Sequence, residues 1–233
     1  MQMNNDIIVS AKNISKEFGP KVVLDGLDFE MPAGKIYAIC GVNGSGKSVF
    51  LRILVGLMHP SSGEVKVFGQ RIGREVEFPA ETGALIDHPG FLLNESGLRN
   101  LLLLAKISGK ATPEKISETM RFVGLNPDDR KPVRTYSVGM RQRLGLAQAI
   151  MEDPLFLILD EPTAGLDFDG QREIYNYLIE LRKQGKTILF TSHSQGEVKL
   201  LCDKAFLLLK GKLEVMKGIQ IEDSLEEADG ARI

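Results

Sequence analysis

Between residues 40 and 50 the chain reads CGVNGSGKSVF, and from Gly41 to Ser48 it fits G-x-x-x-x-G-K-[ST], with Gly44 as an extra glycine. Glycines without Cβ atoms let such a loop turn its amide N–H groups inward around a polyphosphate. A helix starting near Lys47 adds partial positive charge at its N-terminus. Lys47 would reach the β- and γ-phosphates, and Ser48 would offer its hydroxyl to Mg²⁺. The candidate nucleotide-binding residues are therefore Gly41, Asn43, Gly44, Ser45, Gly46, Lys47, Ser48 and Val49. The plain alternative is a glycine-rich turn that binds nothing.

Two further stretches place polar groups where a phosphate-directed site would use them. LFLILDEP, residues 155–162, is an apolar run that ends in two carboxylates. Asp160 could hold Mg²⁺ through water, and Glu161 could orient or deprotonate the water that attacks a γ-phosphate. TILFTSHS repeats the arrangement, an apolar strand ending in Thr191, Ser192 and His193. Ligands of open α/β sheets gather at the carboxyl ends of strands, so His193 could contact the γ-phosphate, the alternative being a packed or surface histidine. YSVGMRQRLGLAQAI opens a helix with Ser137 as N-cap and Gly139 in its first turn, either an anion-binding arrangement or an ordinary capped helix.

The elements that must position these groups follow from periodicity. KIYAIC is short, apolar and β-prone, and SVFLRILVGLM has the period of a helix ending near Gly56, so the glycine loop joins a strand to a helix. Upstream, IIVSAKNIS and VVLDGLDFEM read as strands separated by KEFGPK. Downstream, HPSSGEVKVFGQRI supplies a turn and a strand, and TGALI another short strand. From Asn94 to Met151 the pattern is helical, with Thr112 as N-cap, Pro113 at N1 and Gly124 near the end of the middle helix. Strand LFLILDE, helix GQREIYNYLIELRKQG, strand TILFTS and strand segment KAFLLLKGKLEVMKG complete the order, which argues for a parallel α/β core with a helical insertion. The final IEDSLEEADGARI is acidic and reads as a short helix fraying into a solvated tail.

Composition narrows the class. Lys+Arg number 29 against 31 Asp+Glu, with no run of five or six basic residues, so bulk attraction to nucleic acid is not expected. Cys40 and Cys202 stand far apart without a C-x-x-C partner and read as buried thiols of a reducing cytosol. The longest apolar runs, LLLLA and LFLIL, are far too short to span a bilayer, and the N-terminus lacks a secretory pattern.

Taken in order, GVNGSGKS, YSVGMRQR, LFLILDEPTAGLD and TSHS resemble the nucleotide-binding cassette of ATP-binding cassette (ABC) transporters over about residues 6–218. The resemblance implies a P-loop NTPase with a RecA-like core, an antiparallel β-subdomain and an inserted α-helical subdomain. Its parts would be core and β-subdomain at 1–87 and 153–218, helical subdomain at 88–152 and a C-terminal tail at 219–233. It also implies a head-to-tail homodimer in which ATP lies between Gly41–Ser48 of one copy and Ser137, Gly139 and Met140 of the other. Phe18 would stack on adenine, Asp160 would assist Mg²⁺, Glu161 would be the catalytic carboxylate and His193 the switch histidine. Ala164–Asp167 match the loop that crosses the dimer interface.

Two departures stand out. The family's Leu-Ser-Gly-Gly-Gln helix motif is here Tyr136, Ser137, Val138, Gly139, Met140. Asp87 aligns where most members carry a glutamine touching Mg²⁺ and the attacking water, and is the third candidate metal ligand beside Ser48 and Asp160. GALIDHPGF together with YSVGMRQRLGLAQA is similar to the lantibiotic and bacitracin immunity branch of bacterial exporters. The implied function is an ATPase subunit that powers export of an antimicrobial peptide or drug through a separate membrane-spanning permease, held peripherally at the cytoplasmic face. Phe91, Leu92 and Leu93 could meet that partner or pack under the helical subdomain. The competing class is a soluble cassette ATPase acting on ribosomes or DNA. Such proteins usually add long coiled coils or a second cassette, and neither pattern occurs in this sequence.

Overall fold

The computed structural model describes residues 7–87 and 89–216, so the expected acidic tail at 219–233 lies outside the described residues. Strands β1 (Ile7–Phe18) and β2 (Lys21–Pro32) form a hairpin that pairs up to Phe18 opposite Lys21. The sequence places a connector over Lys16–Lys21. Instead the two-residue turn Gly19-Pro20, with Gly19 at φ +58°, lets the ladder run to the end of the hairpin. Phe18 is thereby carried out to the hairpin tip.

Strand β3 (Ile36–Cys40) feeds the glycine loop and helix α1 (Lys47–Leu54), and β4 (Ser62–Val67) and β5 (Gln70–Arg71) then join the first hairpin. The resulting antiparallel sheet has the order β2-β1-β4-β5. After β6 (Thr82–Leu85) come three helices, α2 (Gly97–Ser108), α3 (Pro113–Phe122) and α4 (Val138–Ile150). Strand β7 (Phe156–Leu159), helix α5 (Phe168–Lys183), strand β8 (Thr187–Ser192), helix α6 (Gln195–Leu201) and strands β9 (Lys204–Leu209) and β10 (Lys212–Val215) complete the described chain. Helix α6 was not anticipated.

The second sheet has the order β10-β9-β3-β8-β7-β6, parallel throughout except for β10 against β9. The P-loop α/β architecture expected from the motifs is the one observed. Every residue of β3, β7 and β8 is buried, as continuous apolar runs covered on both faces require. Period-two alternation divides them between two cores. Ile36, Ala38, Leu157, Leu159, Ile188 and Phe190 join the core that holds α2–α5, whereas Tyr37, Ile39, Phe156, Ile158 and Leu189 pack with α1 and the antiparallel sheet.

Register then fixes the site. Cys40 lies opposite Ser192, Leu159 opposite Phe190 and Leu85 opposite Leu159, so four strands end at one edge. The helical segment is anchored to that edge where α4 crosses β6. A Cβ on Gly83 would fall 1.9 Å from the Ala149 carbonyl oxygen, which leaves room for hydrogen alone. Gly83→Ala is accordingly expected to lower stability by about 1–3 kcal/mol through overpacking, read as a reduced urea midpoint with an unchanged slope.

Candidate functional site

The glycine loop leaves α1 with a bare N-terminus. Gly46, at φ +108°, is its N-cap and offers no side-chain bond, whereas α2–α6 are capped by Ser96, Thr112, Ser137, Asp167 and Ser194. The first amides of α1 therefore lack the oxygen partner that the other helices receive from a side chain, and an anion can supply it. The loop is also crowded. A Cβ on Gly41 would meet the Leu208 carbonyl oxygen at 2.7 Å, and one on Gly46 would lie 3.0 Å from Leu24 and Val23. Among the described residues the buried side-chain polar atom without a hydrogen-bond partner is the Ser45 hydroxyl, in the same loop.

Lys47 is 5% exposed and lies under the loop. Its Nζ donates to the Gly41 carbonyl at 2.8 Å and the Val42 carbonyl at 3.4 Å, and stands 3.6 Å from Glu161 Oε1. The lysine and the carboxylate expected to act on one phosphate thus meet across 114 residues of chain because β3 and β7 flank β8 in register.

Thr191 organises the end of β7. Its buried hydroxyl donates to Asp160 Oδ1 at 2.5 Å and accepts from the Glu161 amide at 2.9 Å. The Asp160 amide donates to the Leu85 carbonyl at 2.7 Å. Glu161 itself sits at φ +46°, in the left-handed region that costs a non-glycine residue about 1–2 kcal/mol. Those fixed neighbours hold it there, turning its side chain toward Lys47 on one side and His193 on the other. His193 Nδ1 is 3.8 Å from Glu161 Oε2 on a ring that is largely exposed.

Lys47, Asp160 and Glu161 face a cleft of about 1000 Å³ lined also by Phe18, Asn43, Gly44, Gly46, Ser48, Val49 and Asp87, among others, whereas Gly41, Ser45 and His193 are not among the lining residues. Phe18 stands at its rim, 47% exposed, with the Lys16 ammonium 5.2 Å from its ring centroid. Ser137, Gly139 and Met140 are not among the lining residues, although Val138, Arg141 and Gln142 are. The Ser137 hydroxyl accepts from the Met140 amide at 3.1 Å, a cap that uses a lone pair and leaves the hydroxyl proton to donate. The start of α4 packs on the Ala164–Asp167 turn, where a Cβ on Gly139 would touch Leu166 at 3.4 Å, and Gln142 reaches the Glu161 carbonyl at 3.5 Å.

Asp87 lines the cleft at φ +58°, with both carboxylate oxygens held by the Arg52 guanidinium at 2.6–3.2 Å. The metal contact expected of Asp87 would thus compete with a bidentate ion pair. Ser48 and Asp160 remain, two hard oxygen donors on the cleft wall. Among the described residues no group of three or more His, Cys, Asp or Glu is placed to hold a metal by itself. A donor pair of this kind suits Mg²⁺, which keeps water and substrate phosphate oxygens among its ligands.

Arg52, Thr191 as a bridge, Gln142 and Glu197 were not singled out from sequence. Glu197 had one usable signal, its place three residues after Ser194 in an S-x-x-E capping pattern. Cys40 and Cys202 are both buried, and burial pushes the Cys40 thiol up to about 11 and that of Cys202 further, so both stay neutral packing groups.

A family profile described as ABC transporter matches residues 24–164. The bacitracin transport ATP-binding protein BcrA of Enterococcus faecalis is 35% identical over 210 residues, covering 89% of this chain and 68% of that protein. The lantibiotic transport ATP-binding protein SrtF of Streptococcus pyogenes is 33% identical over 220 residues, covering 94% and 95%. Among solved structures, cbiO1 of Clostridium perfringens, part of the ABC transporter complex cbiONQ, superposes with a TM-score of 0.76 at 27% identity, covering 89% of this chain and 87% of that one.

Removing Arg52 would leave the Asp87 charge facing the cleft. Arg52→Ala is expected to weaken binding of ATP about two- to fivefold, the scale of a partly exposed ion pair, and Asp87→Asn in the same protein to restore it. Fluorescence titration with a labelled ATP analogue checks both.

Proposed function

Because the chain belongs to the ABC transporter family of ATP-binding proteins and is an ATPase of that class, we propose that it powers export of an antimicrobial peptide or drug through a separate membrane-spanning permease. BcrA and SrtF are ATP-binding proteins of bacitracin and lantibiotic transport, which supports this cargo class. Among the described residues no helix is long and apolar enough to cross a membrane, and in this reading the transport path belongs to the partner. That partner would hold the chain at the cytoplasmic face. Leu92, 54% exposed just after the Asp87 segment, is the proposed contact, whereas Phe91 packs against the core of the helical segment and Leu93 lines the cleft.

In this reading the subdomain limits are those read from the motifs, with the helical part at 88–152. The observation that carries the mechanism is the convergence of Lys47, Glu161 and His193 at the edge where β3, β7 and β8 end. ATP enters with its adenine on Phe18 and its phosphates against the amides at the start of α1. Lys47 exchanges its bonds to the Gly41 and Val42 carbonyls for the β- and γ-phosphates. Glu161 orients and deprotonates the attacking water, and His193, beside it, contacts the γ-phosphate. Ser48 and Asp160 would hold Mg²⁺, which neutralises charge on the phosphates when bound. Asp87 can add to that set only on release from Arg52.

Hydrolysis in this reading requires a second copy. Val42, Val138 and Phe168, 70%, 50% and 76% exposed, ring the loops around the cleft and leave apolar surface for a partner to cover. Head-to-tail closure would bring Ser137, Gly139 and Met140 of that copy to the γ-phosphate, the Ser137 hydroxyl donating its free proton. ATP then acts as differential affinity for the closed dimer, and hydrolysis reopens it.

Glu161→Gln is expected to lower ATP turnover about 100-fold or more while retaining nucleotide, and to elute as a dimer in MgATP. Purified from detergent-solubilised cells in MgATP, it should bring down a stoichiometric polytopic membrane protein. Recovery of ribosomes or DNA-bound proteins with no membrane partner would sink the transporter assignment.

A further inference from the structure

Helix α6 carries a carboxylate that the mechanism above does not use. Glu197 is 5% exposed, and its two oxygens are divided between two segments of chain. Thr163, two residues after Glu161, donates its hydroxyl to Oε1 at 2.8 Å, and Ser192, the residue before His193, donates to Oε2. The sequence pattern Ser194-x-x-Glu197 would ordinarily send the glutamate back to the Ser194 amide. Here that amide donates to Ser192 Oγ at 2.9 Å, and the carboxylate turns inward.

A buried carboxylate is costly to keep, and an apolar side chain of similar size would pack more favourably unless the charge or its bonds serve a purpose. Burial raises the Glu197 carboxyl above its usual range, and the two hydroxyl bonds oppose that rise. The bonds join the turn after β7 to the last residue of β8. Thr191 already ties these strands just upstream, through Asp160 and the Glu161 amide. The Glu161 side chain leaves its segment between the two ties, and His193 directly follows the second.

We infer that Glu197 is a positioning residue: by bonding Thr163 and Ser192 at once it sets the distance between the Glu161 carboxylate and the His193 ring. It is buried and does not line the cleft, so its effect is on the rate at which bound ATP is hydrolysed rather than on how tightly ATP is held. The role in turnover rests on the assignment of Glu161 and His193 to hydrolysis in the preceding subsection; the geometric role does not.

The test uses the full chain in two arms. In the first, Glu197→Ala is expected to lower kcat about 10- to 100-fold with the dissociation constant for ATP changed less than threefold, a split that general loss of structure does not produce. Glu197→Gln, which can accept one hydroxyl and donate to the other, should recover most of the rate. In a Glu161→Gln background, adding Glu197→Ala should cost nothing further, because both changes remove the same arrangement. Ser192→Ala should reproduce the kcat loss and serves if Glu197→Ala does not fold. A folded Glu197→Ala or Ser192→Ala protein with kcat within threefold of the parent overturns the inference, as does a loss that is additive with Glu161→Gln.

The second arm needs no turnover. His193 is one of three histidines in the chain, so its ring signals in a ¹³C-histidine spectrum can be assigned by their disappearance in His193→Gln. Glu161→Gln should move those signals in the parent and leave them unmoved in Glu197→Ala or Ser192→Ala. Persistence of the movement without Glu197 overturns the positioning role. If Glu161→Gln leaves turnover intact, the hydrolytic assignment fails, and this second arm still decides what Glu197 does.

Discussion

A parallel sheet covered on both faces admits polar side chains only where its strands end, and this constraint governs the molecule. The strands β3, β7 and β8 are buried at every residue, so their chemistry is deferred to Gly41, Asp160 and His193 beyond the last rungs. Because the register is parallel, these ends share one edge, and the groups come together without any side chain having to cross the core. The antiparallel sheet and the helical segment attach to that frame at close backbone contacts. The first contributes Phe18 from a hairpin tip and the second contributes the start of α4.

Within the edge, short hydrogen-bonded ties replace the regularity that the strands lose. Thr191 serves Asp160 and Glu161 together, and Gln142 reaches from α4 to the Glu161 carbonyl. Glu161 occupies a backbone conformation that an isolated residue avoids, and the surrounding bonds over-determine it. Its placement between Lys47 and His193 is thus a property of three strands, not of the DE dipeptide alone.

The strand-loop-helix from Lys35 to Leu54 and the apolar strand before Asp160 were legible because their signals are local: glycine spacing, an unbroken apolar run, a change of period. The caps Thr112 and Ser137 were legible for the same reason. Contacts between distant residues were not. Asp87 reads from its alignment as a metal ligand, while the structure gives its oxygens to Arg52, 35 residues earlier and on another element. Nothing in the spacing of Thr163, Ser192 and Glu197 announces that they meet, since a seven-residue helix gives a weak periodic signal and Glu197 follows the pattern of a surface cap. The hairpin end at Phe18 was blurred by polar residues that pair as well as apolar ones do when a tight turn permits it.

The uncapped start of α1 has a thermodynamic side. A side-chain cap ordinarily contributes about 1 kcal/mol to a helix, and here it is forgone at α1. An anion that bonds those amides restores the contribution in the folded chain and has no such partner in the unfolded one. Nucleotide is therefore also a conformational stabiliser by mass action, adding about 2.7 kcal/mol when present at a hundredfold excess over its dissociation constant. The lifetime of this protein against proteolysis and aggregation becomes linked to the concentration of nucleotide around it, so that depletion of nucleotide weakens the fold through the same few amides that would bind it.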